Sequence, residues 1–204
     1  MERIICLVIG YLFGNIFQTG YWYGKFNHID IREYGSGNAG TTNVMRTLGK
    51  KAGIITYLLD TFKAVFAALA VHFLFGRNSD IEMLLFLYSG FGVVLGHNFP
   101  VYLKFKGGKG IATTGGVIFA FHWQLGLICA AVFLIITIIS KYVSLGSICM
   151  VLIIPFILYF NNPHDWKLVI VGCIFTAMAI WRHRANIGRL MNGTENKLGQ
   201  KVKR

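Results

Sequence analysis

Apolar residues run in long stretches along this chain, and the polar ones gather between them. The apolar runs fall at 4–22, 52–75, 83–96, 111–121, 125–140, 145–160 and 168–181. A perpendicular membrane span needs about 20 apolar residues, so several of these runs are short, and re-entrant segments compete with full spans. The first run has Arg3 ahead of it, as a signal peptide would, but it lacks a small-x-small cleavage site. It ends in Tyr21-Trp22-Tyr23, an interfacial aromatic belt, and is read as a spanning helix. The stretch 111–140 is long for one helix and is interrupted by His122-Trp123-Gln124. Two short helices there bring the total to seven and place the termini on opposite sides. The expected fold is an all-α, polytopic integral membrane helix bundle, with residues 1–204 as a single domain.

Composition agrees. Charged residues make up 14% of the chain and hydrophobic ones 55%, against about 25% charged in an average globular domain. Mean hydropathy is +0.58, and the 24 Gly and 3 Pro fit neither a disordered tail nor a Pro-rich linker. An ordinary cytosolic enzyme is excluded. The net charge of +12 would suggest nucleic acid in a soluble chain, but here the cations sort by side. One side holds Lys25, Arg32, Arg46, Lys50, Lys51, Lys104, Lys106, Lys109, Lys141, Arg182, Arg184, Arg189, Lys197, Lys201, Lys203 and Arg204. The other holds Arg3, Arg77 and Lys167, while Lys63 lies within a span. The positive-inside rule then places the N-terminus outside and the C-terminus in the cytoplasm of a multi-pass plasma-membrane protein. Six spans would separate the basic tail from the basic first loop and are rejected; five spans keep the same inside loops. Cys6, Cys129, Cys149 and Cys173 sit in apolar runs without a CxxC pair, and the six His show no zinc spacing. No metal or cofactor is expected.

The inside loops carry the chemistry. The first reads Gly35-Ser36-Gly37-Asn38-Ala39-Gly40-Thr41-Thr42-Asn43-Val44-Met45-Arg46. Its G-x-G-x-x-G is weak as a dinucleotide fingerprint, because no βαβ unit surrounds it. Its glycines still let backbone amides converge on an anion, the hydroxyls of Ser36, Thr41 and Thr42 add donors, and Arg46 adds a bidentate cation. The second loop runs from Gly96-His97-Asn98 through Lys104-Phe105-Lys106-Gly107-Gly108-Lys109-Gly110 to Thr113-Thr114. It is no Walker A sequence, since Gly110 follows Lys109, but it aims glycines and cations at the positive end of the next helix. Contact with anionic headgroups would explain the lysines but not the glycine spacing.

The tail places His183, Asn186 and Arg189 at i, i+3, i+6, along one side of a helix. Asp60 and Lys63 are spaced as an intramembrane ion pair, read as structural. Ser144 alone would pass as a cap or bundle contact. Carboxylates near these loops are few, which disfavours di-carboxylate hydrolysis and Mg²⁺-dependent phosphotransfer.

Five segments, in this order, carry a resemblance: IREYGSGNAGTTNVMRTLGKKAG from residue 31, DTFKA from 60, GHNFPVYLKFKGGKGIAT from 96, KYVSLGSI from 141 and HRANIGRLMNGTENK from 183. Over essentially its whole length the chain resembles the bacterial acyl-phosphate-dependent glycerol-3-phosphate acyltransferases. The resemblance implies transfer of a fatty acyl group from acyl phosphate to the sn-1 hydroxyl of glycerol 3-phosphate at the cytoplasmic face. Lysophosphatidic acid and inorganic phosphate are the products, in the first acylation of bacterial phospholipid synthesis. It implies Ser36, Arg46, His97, Lys109, His183 and Asn186 at the reaction. Gly37, Asn38, Gly40, Thr41, Thr42, Asn43, Lys104, Gly107, Gly108 and Ser144 would line the substrates, and Asp60, Lys63 and Glu195 would be structural. Partners are the two substrates and membrane lipids, with no nucleic acid, and a monomer is expected. One departure stands out: the family's Ser-Ile-Pro-x-Gly-Tyr element reads Asn15-Ile16-Phe17-Gln18-Thr19-Gly20-Tyr21 here.

Other readings fit less well. An acyltransferase with a His-x₄-Asp dyad lacks its Asp, His28 with Glu33 being the nearest approach. A small-anion transporter needs polar positions through the midplane, whereas here they crowd one side. A diverged acyltransferase with another acceptor remains an alternative.

Overall fold

A computed structural model describes residues 1–16, 18–75 and 82–200. Arg77, Lys201, Lys203 and Arg204 of the charge count lie outside the described residues, as does Phe17. Helices account for nearly all the rest, with no strand among the described residues. They are α1 (Glu2–Ile16), α2 (Thr19–Phe26), α3 (Thr41–Leu48), α4 (Lys50–Phe75), α5 (Glu82–Asn98), α6 (Ile111–Phe121), α7 (Trp123–Ser140), α8 (Val143–Leu152), α9 (Ile154–Asn161), α10 (Trp166–Arg182) and α11 (Arg184–Met191). Short 3₁₀ turns stand at Ile31–Glu33 and Val101–Leu103.

The apolar runs are mostly helical, but run 4–22 divides into α1 and α2 and run 145–160 into α8 and α9; the expected interruption of 111–140 falls at His122, whose φ of −159° and ψ of 108° separate α6 from α7. Five helical stretches are long and apolar enough to cross a membrane: Glu2–Phe26, Lys50–Phe75, Glu82–Leu103, Trp123–Ser140 and Val143–Asn161. A sixth is α10 with α11, if the 59° bend between them belongs to one span. Helix α6 has eleven residues, about 16 Å at 1.5 Å per residue, roughly half a hydrocarbon core. The surface is apolar where a bilayer would touch it: Phe66, Leu69, Ile138, Ile139 and Phe160 all face outward.

Small residues bring the helices together. In lipid there is little hydrophobic gain from pairing two apolar helices, so close backbone approach and polar contacts decide. Helix α1 carries Gly10 and Gly14 and helix α5 carries Gly92 and Gly96, each pair four residues apart. A Cβ on Gly10 would lie 1.9 Å from the Ser89 carbonyl oxygen, on Gly14 2.1 Å from that of Val93, on Gly92 2.1 Å from that of Leu7, and on Gly96 2.2 Å from that of Tyr11. The two helices meet backbone to backbone. Around them Leu87, Val93, Val117, Ile118, Val151, Ile154, Leu158 and Phe175 form the central core.

That pairing fixes the end of the bundle that matters. Tyr11 Oη donates to the Phe99 carbonyl at 2.8 Å, and Asn15 Oδ1 accepts from the Val101 amide at 2.8 Å. The departing family element becomes the break between α1 and α2. There Gln18, 1% exposed, donates to the carbonyls of Gly14 (2.9 Å) and Gly96 (3.2 Å), satisfying groups that helix ends leave open.

Candidate active site

The Gly35–Gly40 loop is held from within. Asp30 accepts the Arg32 amide at 3.0 Å and pairs with its guanidinium at 2.7 Å, and that hydrogen bond from Arg32 holds the Asp30 carboxyl below its ordinary range. Arg32 lies over the Tyr21 ring at 5.0 Å and donates to the Leu103 carbonyl at 3.4 Å, tying the first loop to the second. Asn43 accepts from the Ser36 amide (2.9 Å) and donates to the carbonyls of Ile31 (3.0 Å) and Tyr34 (2.9 Å). Both amide hydrogens and one lone pair of Asn43 are thus used by the loop, and the side chain shapes the turn. Asn38 likewise accepts the Gly40 amide at 2.8 Å. Gly35 and Gly37 sit at positive φ of 59° and 67°, and Ser36 between them is exposed. Thr41 and Thr42 open α3, with the Thr41 hydroxyl buried and unpartnered.

The second loop folds back onto the end of α5. The Gly107 amide donates to the Asn98 carbonyl (3.2 Å) and the Gly108 amide to the His97 carbonyl (3.0 Å). Positive φ at Lys104, Phe105 and Gly110 turns the chain. Both glycines are buried, and neither tolerates a side chain: a Gly107 Cβ would lie 2.1 Å from the His97 carbonyl oxygen, and a Gly108 Cβ 1.9 Å from His97 Nε2. Arg182, at the end of α10, clamps the bend by donating to the carbonyls of Gly107 (3.2 Å) and Gly108 (2.6 Å). Sequence reasoning missed this role, since Arg182 read only as one cation of a juxtamembrane tail. Lys104 is exposed on the turn and makes no hydrogen bond to the network among the described residues.

Behind the bend lies a buried polar group. Lys63 Nζ lies 2.8 Å from Asp60 Oδ1 and 2.7 Å from His97 Nδ1, and Thr19 Oγ1 donates to Asp60 Oδ1 at 3.4 Å. The expected Asp60–Lys63 pair forms, and it extends to His97.

Beside the bend, Lys109 Nζ donates to the side-chain Oδ1 of Asn186, and Asn186 Nδ2 donates to Glu195 Oε1 at 2.7 Å. Ser144 Oγ donates to the same oxygen at 3.0 Å, and Arg189 Nε to Glu195 Oε2 at 2.7 Å. The Ser144 hydroxyl proton is thus engaged by a carboxylate. Arg46 closes the ring by donating to the Asn196 carbonyl at 3.2 Å. Burial raises the Glu195 pKa, but the hydrogen bonds from Asn186, Arg189 and Ser144 outweigh it, and the group stays ionised below its ordinary value. Burial lowers Lys109 to about 8, with Glu195 opposing the shift and Arg189, Arg182 and Arg46 adding to it. Arg46 is lowered for the same first reason. His183, 3% exposed, places Nδ1 2.8 Å from the Ala179 carbonyl, so Nδ1–H donates and Nε2 carries the lone pair.

The structure thus brings Arg46, Lys109, Ser144, Asn186 and Glu195 into one network, and Asp60, Lys63, His97, Gly107 and Gly108 into an adjoining one. Among the described residues no group of three or more His, Cys, Asp or Glu is placed to hold a metal ion.

Comparison with known proteins bears on this arrangement. A family model described as glycerol-3-phosphate acyltransferase matches residues 4–193. A glycerol-3-phosphate acyltransferase of Clostridioides difficile is 47% identical, with 97% of this chain and 96% of that protein covered. One of Thermoanaerobacter sp. is 42% identical, with 99% and 98% covered. The crystal structure of PlsY, an integral membrane glycerol 3-phosphate acyltransferase, in its glycerol 3-phosphate form superposes with a TM-score of 0.87 at 37% identity, covering 98% of this chain and 96% of that one. Its lysophosphatidic acid form superposes with a TM-score of 0.85 at 36% identity.

Proposed function

The chain belongs to the glycerol-3-phosphate acyltransferase family, and from that premise we propose that its acyl donor is acyl phosphate and its acceptor position the sn-1 hydroxyl. The reaction runs at the cytoplasmic face of the bacterial plasma membrane. The observation that carries the donor is the charge of the site. Lys109, Arg189 and Arg46 gather around Glu195 and its neighbour Asn196, and Arg182 holds the Gly107–Gly108 bend beside them. Such a site suits two small phosphate-bearing substrates.

Acyl phosphate is a mixed anhydride and already activated. The sn-1 oxygen attacks the acyl carbonyl carbon, a C–O ester bond forms, and the carbonyl-to-phosphate C–O bond breaks. Inorganic phosphate leaves with that bonding pair, and the hydroxyl proton goes to the departing phosphate. No covalent enzyme intermediate is needed. The work left to the protein is to hold two anions in line and to place donors where the oxyanion develops. Ser36 and the amides of Asn38 and Ala39 lie at one bend, and Lys109 follows the other, whose Gly107 and Gly108 amides are held by the Asn98 and His97 carbonyls. His183 Nε2 and the Lys109–Asn186 pair lie beside them.

The basic loops and tail support a reading with this end inside and the N-terminus outside, and we read seven helices as transmembrane. Purified protein given labelled glycerol 3-phosphate should form lysophosphatidic acid and phosphate with palmitoyl phosphate and not with palmitoyl-CoA. Equal product from palmitoyl-CoA would overturn the donor assignment. Single cysteines at Glu2 and Leu190, probed from each side of sealed vesicles, check the topology.

A further inference from the structure

We propose that the cleft between the starts of α1, α5 and α10 holds one anionic phospholipid of the membrane leaflet away from the active site, with Arg3 and Lys167 on its phosphate. The inference needs the membrane and not the reaction.

The candidate active site lies at the other ends of these helices. Asn15 of α1 holds the Val101 amide just past α5, and Arg182 at the end of α10 holds the second bend. Leu84 in the cleft and Asn98 at that bend are fourteen residues apart along α5, about 21 Å at 1.5 Å per residue. The cleft is therefore a separate place. Its volume is about 210 Å³. Leu84 and Tyr88 of α5 form one wall and Ile170, Val171 and Ile174 of α10 the other, with Arg3 of α1 and Lys167 of α10 beside them.

The two cations are the unexplained feature. Among the described residues neither is ion-paired. The carboxylates at this end are placed elsewhere. Glu82 is on His72 at 2.6 Å, and Asp165 caps α10 by accepting the Lys167 amide. Glu2 shares its side of α1 with Cys6, four residues on, which packs against Val71 and Leu85. The Arg3 guanidinium instead lies 5.9 Å from the centre of the Tyr88 ring, at the cleft. Two cations beside one apolar cleft repel each other unless an anion lies between them.

The chemistry of the walls says which anion. An apolar wall with cations at its membrane-surface end matches a phospholipid, phosphate against the cations and acyl chain along the wall. The cleft is too small for a whole lipid, but Ile170 and Ile174 are exposed and one turn apart, so a chain leaving it continues over the lipid-facing surface. Two uncompensated cations select a headgroup of net negative charge over a zwitterionic one. The positive-inside rule leaves few basic residues on this side. Of Arg3, Arg77 and Lys167, two meet at this cleft.

The test titrates phosphatidylglycerol and phosphatidylcholine of equal chain length into the full chain in mild detergent, counting bound lipid by native mass spectrometry. A basic residue at an anionic headgroup is worth about fivefold in binding. Wild type should therefore hold one phosphatidylglycerol about thirtyfold more tightly than phosphatidylcholine. R3Q and K167Q should each lose about fivefold, and R3Q/K167Q the whole preference. K50Q/K51Q removes two exposed cations from the opposite end and should keep it. Equal binding of the two lipids by wild type, or an undiminished preference in folded R3Q/K167Q, overturns the proposal. An equal loss in K50Q/K51Q also overturns it, since attraction to the net charge of +12 then explains the binding. Inorganic phosphate in large excess should not displace the lipid; displacement means a simple anion site and overturns the lipid assignment. If the double variant does not fold, the two single variants decide.

Discussion

Gly108→Ala is the sharpest probe of the second bend. The added methyl would start 1.9 Å from His97 Nε2 and 2.8 Å from both neighbouring ring carbons. The ring cannot swing aside freely, because its other nitrogen is held by Lys63. Nor can the loop, since the Gly108 amide is on the His97 carbonyl and its own carbonyl is on Arg182. Restoring ordinary contact near 3.4 Å means parting ring and loop by about 1.5 Å, and overpacking of this kind costs about 1–3 kcal/mol. At about 1.4 kcal/mol per tenfold, the KM for glycerol 3-phosphate should rise roughly tenfold to a hundredfold. The assay is initial rate against labelled glycerol 3-phosphate at saturating palmitoyl phosphate, with a thermal melt beside it. Gly115→Ala is the control. It lies in α6 with nothing within 4 Å of its Cβ position, so it should leave both readings near wild type. A wild-type KM for folded Gly108→Ala would refute the claim that this glycine is required by His97.

Three further outcomes follow from other parts of the molecule. Burial holds Lys109 near 8, below its ordinary 10.5, so the free enzyme loses this cation as pH rises through about 8, and kcat/KM for glycerol 3-phosphate should fall there, with K109Q low and flat. The stability linkage has the opposite sign: the unfolded state binds more protons, so the Lys109 contribution to stability rises between about pH 8 and 10.5, and a parallel fall of both would count against the assignment. Arg182→Ala should raise KM several-fold, because it removes the Nη2 that donates to the carbonyls of both Gly107 and Gly108; an unchanged KM removes Arg182 from the site. Gly14→Leu should lower the melting temperature sharply by pushing α1 off the Val93 carbonyl, read by thermal gel filtration, and an unchanged melt would deny the backbone contact.

The sequence made the loops legible because anion binding needs glycines, hydroxyls and cations in short runs, which survive as linear patterns. Helix positions were legible for a similar reason, although runs 4–22 and 145–160 each divide into two helices at breaks that their apolar character does not mark. The pairing of α1 with α5 was also written in the chain, as Gly10/Gly14 and Gly92/Gly96, but the significance of those spacings depends on which helix faces which. Contacts closed by the fold were not legible at all. Arg182 lies 74 residues from the Gly108 carbonyl it holds, and His97 lies 34 from Lys63. Nothing local marks either. Nor was it legible that Asn43 holds the turn while Lys104 stands exposed on it, because a polar residue in a phosphate-type loop reads the same whether it faces ligand, backbone or solvent.

The acid count of the site has a physical reason under the proposed reaction. Two phosphate-bearing substrates must approach within a few ångströms, and each unit pair of like charges at about 5 Å repels by about 3 kcal/mol at an effective dielectric of 20. Cations offset that repulsion, but before substrates arrive the same cations repel one another, as the lowering of Lys109 by Arg189, Arg182 and Arg46 reflects. Glu195 holds them together in that state. One oxygen takes Ser144 and Asn186, the other takes Arg189, and Asn186 relays to Lys109. A second carboxylate would neutralise the site against its own ligands; none would leave the cations to spread. A single buried acid beneath a ring of bases keeps the cradle assembled yet still electropositive, and substrate phosphates complete the neutralisation that Glu195 begins.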